Sequence, residues 1–386
     1  MQDRFGFDWT GISGTWFWKQ PQLSRRVFFR HLATAVGGYY LTPTRPMETI
    51  AKGAASPIGK AQNCIFIHMG GAPSHVDTFD LKEGPWTPAF FNPTSYGDIR
   101  WPQGLMPKLA EQLDRIALVR SVKPWAAVHE LARQWMLIGR NPTSALSKIA
   151  PHIGSVVSLE LGPRSANRTL PAFFSLNTGS GPGAGYLPPD NGPFYVSPGG
   201  AGLGNTTHRD GQPAYERRNT LLQAMDRELR DSGELGARPA ETFSFRDNAA
   251  KLMYNPAVDR IFTFDAAERA RYGTTGFGNA CITARNLLRS NMGARFIQIT
   301  IGGWDMHTNI YQPNAGLQTL TRQFDNALGT LITDLADDGL LDQTLIVAMG
   351  EFGRTVGPLN VSAGRDHHLQ QAVLFAGARI NGRKVI

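Results

Sequence analysis

Carboxylate and imidazole side chains recur in the last third of the sequence, each time close to an apolar run. The candidates are Asp305, His307, Glu351, Asp366, His367 and His368. Carboxylate oxygens and imidazole nitrogens together bind zinc, manganese or iron, whereas calcium and magnesium, the second choice here, prefer oxygen ligands. The pattern therefore predicts a divalent metal site formed by these residues. The alternative is a set of polar loops whose acids and histidines share no function.

Apolar segments that predict buried strands lie beside these residues. Phe296–Ile301 is rich in β-branched and aromatic side chains and ends in two glycines, which permit a sharp turn. Thr344–Ala348 predicts a second strand, and Ala372–Ala376 predicts a third. In open α/β sheets the ligand crevice lies beyond the carboxyl ends of the strands, so we expect the candidate ligands to meet at one sheet edge.

The loop after the first predicted strand, Cys64–Met69, carries groups that could act in catalysis. Ser74 is a candidate nucleophile, and His75 is a candidate general acid. His129, in a predicted helix, is a second candidate acid. Each has a structural alternative, since Ser74 can cap a helix and both histidines can be buried and hydrogen-bonded.

Arg354 follows Glu351 by three positions on one predicted loop. A guanidinium can bind an anionic ester through two parallel hydrogen bonds, so Arg354 is a candidate for holding the substrate. Its alternative is a structural salt bridge to Glu351.

Predicted helices fill the intervals between the strands. Residues 277–291 carry an apolar stripe, and residues 324–335 repeat apolar side chains at the spacing of an amphipathic helix. Alternating strands and helices predict an α/β domain with a mostly parallel sheet and helices on both faces. Residues 178–212 are dense in glycine, proline and asparagine, which predicts a long surface excursion that forms a lid or binding loop.

Composition excludes several classes of protein. The 386 residues carry a formal charge of +8, partly from arginines in the first thirty positions, and no basic run or motif of a nucleic-acid-binding protein follows. The positive charge equally fits an anionic substrate. Cys64 and Cys281 are too few for a disulfide framework, and both lie in apolar stretches, so we expect free buried thiols.

Residues 24–30, Ser-Arg-Arg-Val-Phe-Phe-Arg, resemble a twin-arginine export signal. The apolar run that follows is too short for a transmembrane helix. We therefore expect an export leader over residues 1–45, recognised by the twin-arginine machinery, and a location in the periplasm or outside the cell. The leader would be followed by a linker over 46–62 and then by a single domain over 63–386. That domain would contain a loop-rich insertion near 178–260. The alternative is an amphipathic surface helix.

Six stretches resemble the bacterial family called domain of unknown function 1501, a sulfatase-like branch of the alkaline phosphatase superfamily. They are the leader, Gly70–Asp80, Leu118–Val122 with His129, Phe277–Arg285, Gly302–His307, and Gly350–Thr355 with Gly364–His367. The resemblance implies one alkaline phosphatase-like α/β/α sandwich whose site, with one or two divalent metals, lies at the carboxyl edge of the sheet.

Within that resemblance, Asp305, His307, Glu351 and His367, the last with one of its neighbours, would hold the metal. Ser74 occupies the position of the superfamily's nucleophile. Where the superfamily has a strand-end histidine this chain has Phe352, so that ligand is missing or comes from elsewhere.

Two further departures concern the type of enzyme and the length of the chain. The stretch Cys281–Arg285 lacks the proline of a formylglycine motif and lies on a helical apolar stripe, so we expect a core cysteine and no formylglycine sulfatase. Family members usually continue beyond the point reached at Ile386, so we expect a fragment or a shortened sheet edge.

The sequence therefore predicts an exported, metal-dependent hydrolase of phosphate or sulfate esters. Its substrate would be an anionic small molecule or a polysaccharide. The alternative is a secreted binding or assembly protein that keeps the fold without the chemistry, because function depends on the site and not on the fold.

Overall fold

The computed structural model describes residues 61–143, 149–232 and 237–386, all within one compact unit, Gly59–Ile386. The strands are β1 (Asn63–Met69), β2 (Pro93–Tyr96), β3 (Ile99–Pro102), β4 (Ile116–Val122), β5 (Phe173–Leu176), β6 (Phe194–Val196), β7 (Phe296–Ile301), β8 (Thr344–Met349), β9 (Gly353–Arg354), β10 (His367–His368), β11 (Gln371–Gly377) and β12 (Lys384–Val385).

Helices occupy the longer connections between these strands. They are α1 (Pro107–Ala110), α2 (His129–Ile138), α3 (Ile153–Leu161), α4 (Gln212–Ser232), α5 (Ala237–Leu252), α6 (Pro256–Phe262), α7 (Ala266–Tyr272), α8 (Gly276–Ser290) and α9 (Gly316–Asp337). The predicted loop-rich insertion near 178–260 thus contains the long helices α4 and α5.

The central sheet has the strand order β12-β4-β11-β8-β1-β7-β5-β6. β1 pairs in parallel with both β7 and β8, and β11 is antiparallel to its two neighbours. Met69 is level with Ile301, and His68 is level with Met349. The three loops that follow β1, β7 and β8 therefore leave the sheet at one edge, which is where parallel strands place a site.

The two faces of the sheet are covered by different helices. Alternate residues of a strand point to opposite faces. On β1, Ile65 and Ile67 join the large apolar core that includes α8 and α9, whereas Phe66 joins a smaller cluster with Leu137 of α2. The predicted three-layer α/β/α sandwich with a mostly parallel sheet is confirmed.

Several predicted elements agree closely with the structure. The strand expected at 296–301 is β7, and Cys281 is fully buried in α8. Cys64 and Cys281 are both free thiols as expected, but Cys64 is half-buried. The expected leader lies outside the described residues. Within the part of the chain that the structure covers, no helix has the length and apolar character needed to cross a bilayer.

Candidate metal centre

Ligand atoms from three distant parts of the chain converge at the carboxyl edge of the sheet. One ligand atom from each of His129, Asp305 and His367 lies within 4.8 Å of the other two. Asp305 Oδ1 is 3.3 Å from His129 Nε2 and 3.7 Å from His367 Nε2. Neighbouring ligands of a tetrahedral ion with bonds of about 2.0–2.1 Å are separated by about 3.3 Å. The spacing is therefore that of a metal site.

Both histidines are oriented through their other ring nitrogen. His367 Nδ1 lies 2.7 Å from the carbonyl oxygen of Ala127, which can only accept, so Nδ1 carries the proton. His129 Nδ1 lies 3.1 Å from Glu351 Oε1 and donates to that carboxylate. In the neutral rings each Nε2 atom then presents a lone pair, the form in which imidazole binds metals.

The environment of His129 Nε2 tests whether these residues fit a cation. The atom is buried and has no hydrogen-bond partner among the described residues. Only 3.3 Å separates it from Asp305 Oδ1, but that contact lacks hydrogen-bond geometry. Leaving a buried acceptor unsatisfied costs about 1–3 kcal/mol. A divalent cation would satisfy both groups, and a mixed nitrogen and oxygen set suits zinc, manganese or iron.

His307 lies beside these three residues and is held by Asp366. Its Nδ1 atom is 3.1 Å from Asp366 Oδ1, and this hydrogen bond lowers the pKa of Asp366. Its Nε2 atom is 3.0 Å from both Asp305 Oδ1 and His367 Nε2. Arg354 Nη1 also donates to this Nε2 atom at 3.2 Å. His307 is thus an oriented imidazole at the centre of the site, with a cationic partner already in place.

Glu351 faces the loop after β1. Its two carboxylate oxygens accept from the backbone N–H groups of Gly71 and Ala72 at 3.0 and 3.1 Å, and one of them also accepts from His129. Burial raises the pKa of Glu351, but the nearby His68 and the hydrogen bonds from Gly71 and His129 outweigh it and hold the pKa at about 2. The structure therefore places this predicted ligand behind His129, as its orienting carboxylate.

Gly71 brings the loops after β1 and β7 into direct contact. Its φ angle of +100° lies in the left-handed region, and a Cβ atom there would be 2.6 Å from the backbone nitrogen of Asp305. Only glycine fits both the conformation and the close approach. The glycines that follow β1 thus set the position of Asp305.

Arg354 is fully engaged inside the protein, with a side chain only 1% exposed. Its Nη2 atom donates to Asp305 Oδ1 at 2.5 Å and to the Gly71 carbonyl at 2.6 Å, and its Nε atom donates to the Ala72 carbonyl at 2.9 Å. Burial raises the pKa of Asp305, but the hydrogen bond and charge of Arg354 outweigh it and lower that pKa. Arg354 pairs with Asp305 rather than Glu351 and has no free edge for a substrate.

Ser74 lies in a buried network next to the site. Its hydroxyl donates to Asp77 Oδ2 at 2.6 Å, and Ser74 is 2% exposed. Asp77 also accepts from Arg365 Nε at 2.7 Å and from the Tyr311 hydroxyl at 2.7 Å. Among the described contacts, none joins the Ser74 hydroxyl to the converging ligand atoms.

His75 and His368 form a separate pair. Their rings are 6.4 Å apart between centroids, and His75 Nδ1 accepts from the backbone of Arg354 at 3.3 Å. Burial lowers the pKa of His75 to about 4. His368 follows His367 in β10, and successive strand side chains point in opposite directions. No hydrogen bond or ion pair in the described structure links either residue to Asp305.

His129, which the sequence predicts only as a candidate acid, lies among the converging ligand atoms. Two features of the sequence point to this role. His129 belongs to the family motif that follows β4, and Phe352 stands where the superfamily has a strand-end histidine. In the structure the Phe352 ring packs against His129, with centroids 4.7 Å apart. His68, level with the end of β8 and 3.5 Å from Glu351, had no such signal.

Comparison with known proteins agrees with the family resemblance. The family described as "Protein of unknown function (DUF1501)" matches residues 61–386. The chain belongs to this family. Among curated proteins, no sequence matches this DUF1501 protein.

Solved structures with a similar fold include sulfatases and other members of the alkaline phosphatase superfamily. Ps i-CgsB, also solved with k-i-k-neocarrahexaose, shares 12% identity over 84% of this chain and 68% of its own, with a TM-score of 0.42. PsFucS1 sulfatase from Pseudoalteromonas sp. shares 12% identity over 88% and 66%, with a TM-score of 0.39. An alkaline phosphatase superfamily protein from Vibrio parahaemolyticus shares 11% over 85% and 62%, with a TM-score of 0.35. Such low values decide nothing about the site.

Proposed function

We propose that this protein is a metal-dependent hydrolase of phosphate or sulfate esters. The observation that carries the proposal is the convergence of His129, Asp305 and His367, with both imidazoles fixed through Nδ1. These three residues would hold the ion. When bound, a divalent ion supplies positive charge for the ester oxygens and lowers the pKa of water.

His307 is the residue best placed to move a proton. Its ring is oriented by Asp366 through Nδ1, its side chain is 40% exposed, and its Nε2 atom faces the cluster. In the proposed reaction the oxygen of water bonds to phosphorus or sulfur, and the bond to the alcohol oxygen of the substrate breaks. His307 Nε2 exchanges its hydrogen bond from Arg354 for one from the attacking water and accepts the proton of that water, and the leaving alcohol takes a proton from solvent.

The buried position of Ser74 supports water as the nucleophile. The Ser74 hydroxyl already donates to Asp77 and is nearly inaccessible. Gly71 and Ala72, which lie in the same loop and donate to Glu351, have no reactive side chain. Hydrolysis would then proceed without a covalent enzyme intermediate.

We also propose that the protein is exported by the twin-arginine route. The support is the Ser-Arg-Arg-x-Phe sequence at residues 24–28. Replacing Arg25 and Arg26 with lysine in the full chain should abolish its appearance outside the cytoplasm. Unchanged export of that variant would contradict this part of the proposal.

The test is elemental analysis of the purified protein, combined with hydrolysis assays on p-nitrophenyl phosphate and p-nitrophenyl sulfate. We expect near-stoichiometric zinc, manganese or iron in the native chain and little in H129A or H367A. H307A should retain the ion but lose about 10²–10⁴-fold in turnover, the usual contribution of acid–base catalysis. H152N, which replaces the histidine that caps α3 beside the first residue of β7, is the matched control and should match the native protein.

Two outcomes separate this proposal from a non-catalytic role. A folded native chain without metal would contradict the site. A metal-loaded chain that hydrolyses neither ester, with H307A indistinguishable from it, would favour a secreted binding or assembly protein.

A further inference from the structure

Two tryptophans form a flat, solvent-facing surface beside the metal centre. The indole rings of Trp125 and Trp135 are stacked, with centroids 5.3 Å apart and planes within 7° of parallel. Trp125 is 77% exposed, which is unusual for so large an apolar side chain. The stack holds the exposed Trp125 ring against the half-buried Trp135, so this tryptophan platform is preorganised to receive a ligand on Trp125.

The platform belongs to the segment that builds the site. Trp125 lies three residues after β4, whose carboxyl end shares an edge with those of β1, β7 and β8. Two residues later, the Ala127 carbonyl orients His367, and His129 then begins α2. Trp135 lies six residues further along α2, about 9 Å along the helix axis at 1.5 Å per residue. One extended ligand can therefore span the platform and the metal centre.

We propose that the tryptophan platform stacks against a pyranose ring of an anionic oligosaccharide that carries the ester to be cleaved. This inference rests on the proposed function and names its substrate class. A pyranose has an apolar C–H face, which suits an indole plane, and a hydroxyl edge, which suits polar surroundings. Aromatic surfaces of this kind combine apolar contact with specific geometry.

Charge around the platform favours a sugar with anionic groups. Lys123 precedes Trp125 by two positions, Arg140 follows α2, and both are exposed. Arg133 on the same helix is paired with the exposed Glu130. The exposed charges nearest the platform in the sequence are thus mostly basic, and one exposed apolar side chain, Val128, lies beside them. A membrane surface or a large protein interface would need a broader apolar patch.

The probe is a sulfated galactan oligosaccharide, and its desulfated form serves as the uncharged control. Binding is followed by calorimetry with the full chain. We expect W125A to weaken binding about tenfold, because the variant loses one aromatic contact and the apolar area that this contact buries. W125F should fall between W125A and the native protein. F245A, which removes another exposed aromatic ring, should bind as the native protein does.

Two further measurements distinguish this inference from the proposed function. K123Q should weaken binding of the sulfated probe and leave binding of the desulfated probe unchanged. H129A should lose metal but keep the Trp125-dependent binding. If W125A and the native chain bind the sulfated probe equally, or if neither binds it, the platform proposal is wrong. Hydrolysis of p-nitrophenyl esters, which are too small to reach the platform, reports on the proposed function independently.

Discussion

Glu351 and His129 are joined by a hydrogen bond of 3.1 Å between Oε1 and Nδ1, although 222 positions separate them in the sequence. The same carboxylate accepts from the backbone of Gly71 and Ala72. One side chain thus links the end of β8, the loop after β1 and the first residue of α2. A carboxylate that accepts from the far nitrogen of a metal-binding histidine fixes the ring orientation and raises the basicity of the ligand.

Replacing Glu351 with glutamine should weaken metal binding about 10–100-fold, the usual effect of removing an orienting carboxylate. Glutamine has nearly the same shape as glutamate, but its side-chain amide has one acceptor oxygen where the carboxylate has two. It therefore cannot accept from all the donors that now bind Glu351. The dissociation constant can be measured by competition with a chelator. E160Q, on the exposed side of α3, is the control and should bind metal normally. An unchanged constant in E351Q would show that Glu351 does not orient His129.

Replacing Ser74 with alanine should leave turnover within about twofold of the native value, because the attacking oxygen is that of water. The variant loses one hydrogen bond to Asp77, at a cost of about 1–2 kcal/mol in the free energy of unfolding. Steady-state assays on p-nitrophenyl esters and urea unfolding measure the two effects separately. A loss of turnover of several orders of magnitude in a folded S74A protein would instead identify Ser74 as a covalent nucleophile.

The buried ion pair between Arg365 and Asp77 should contribute strongly to stability. Arg365 has no exposed side-chain surface and binds both oxygens of Asp77, at 2.7 and 3.2 Å. Removing one partner of a buried pair leaves an uncompensated charge, so R365M should lower the free energy of unfolding by about 3–5 kcal/mol. R379M breaks an exposed pair with Asp342, in which each side chain is 62% exposed.

The control variant R379M should lower the free energy of unfolding by no more than about 1 kcal/mol. Urea unfolding of both variants checks the comparison. Equal losses in R365M and R379M would mean that the Asp77 pair does not anchor the loop leading to His367.

Sequence alone predicted the sheet edge well but could not predict which way its side chains point. The strand at 296–301 was identifiable because an apolar β-branched run ends in two glycines. Glu351 was expected as a ligand because it follows β8, yet its direction depends on backbone donors 279 and 280 positions away. His129 could not be grouped with Asp305 from spacing, since their proximity arises from packing of α2 on the sheet.

The buried histidine His152 should make the stability of the protein fall as the pH is lowered. Burial lowers the pKa of His152 to about 4, and the nearby His68 acts in the same direction. The side chain is 2% exposed, and its Nδ1 atom caps α3 by accepting from Gly154. Because the folded-state pKa lies below the unfolded value of about 6.5, the unfolded chain binds the extra proton first as the pH falls.

The stability that His152 contributes is therefore fully present above pH 6.5 and is lost as the pH falls toward 4. Between pH 7 and pH 5 the loss amounts to about 2 kcal/mol in the free energy of unfolding. H152N keeps an acceptor at the helix N-cap but has no titrating imidazole. Its free energy of unfolding should therefore fall by about 2 kcal/mol less than that of the native protein between pH 7 and pH 5. Urea unfolding at the two pH values measures this, with H208N as the control that should follow the native protein. If H152N shows the native dependence on pH, burial does not keep His152 neutral in the folded state.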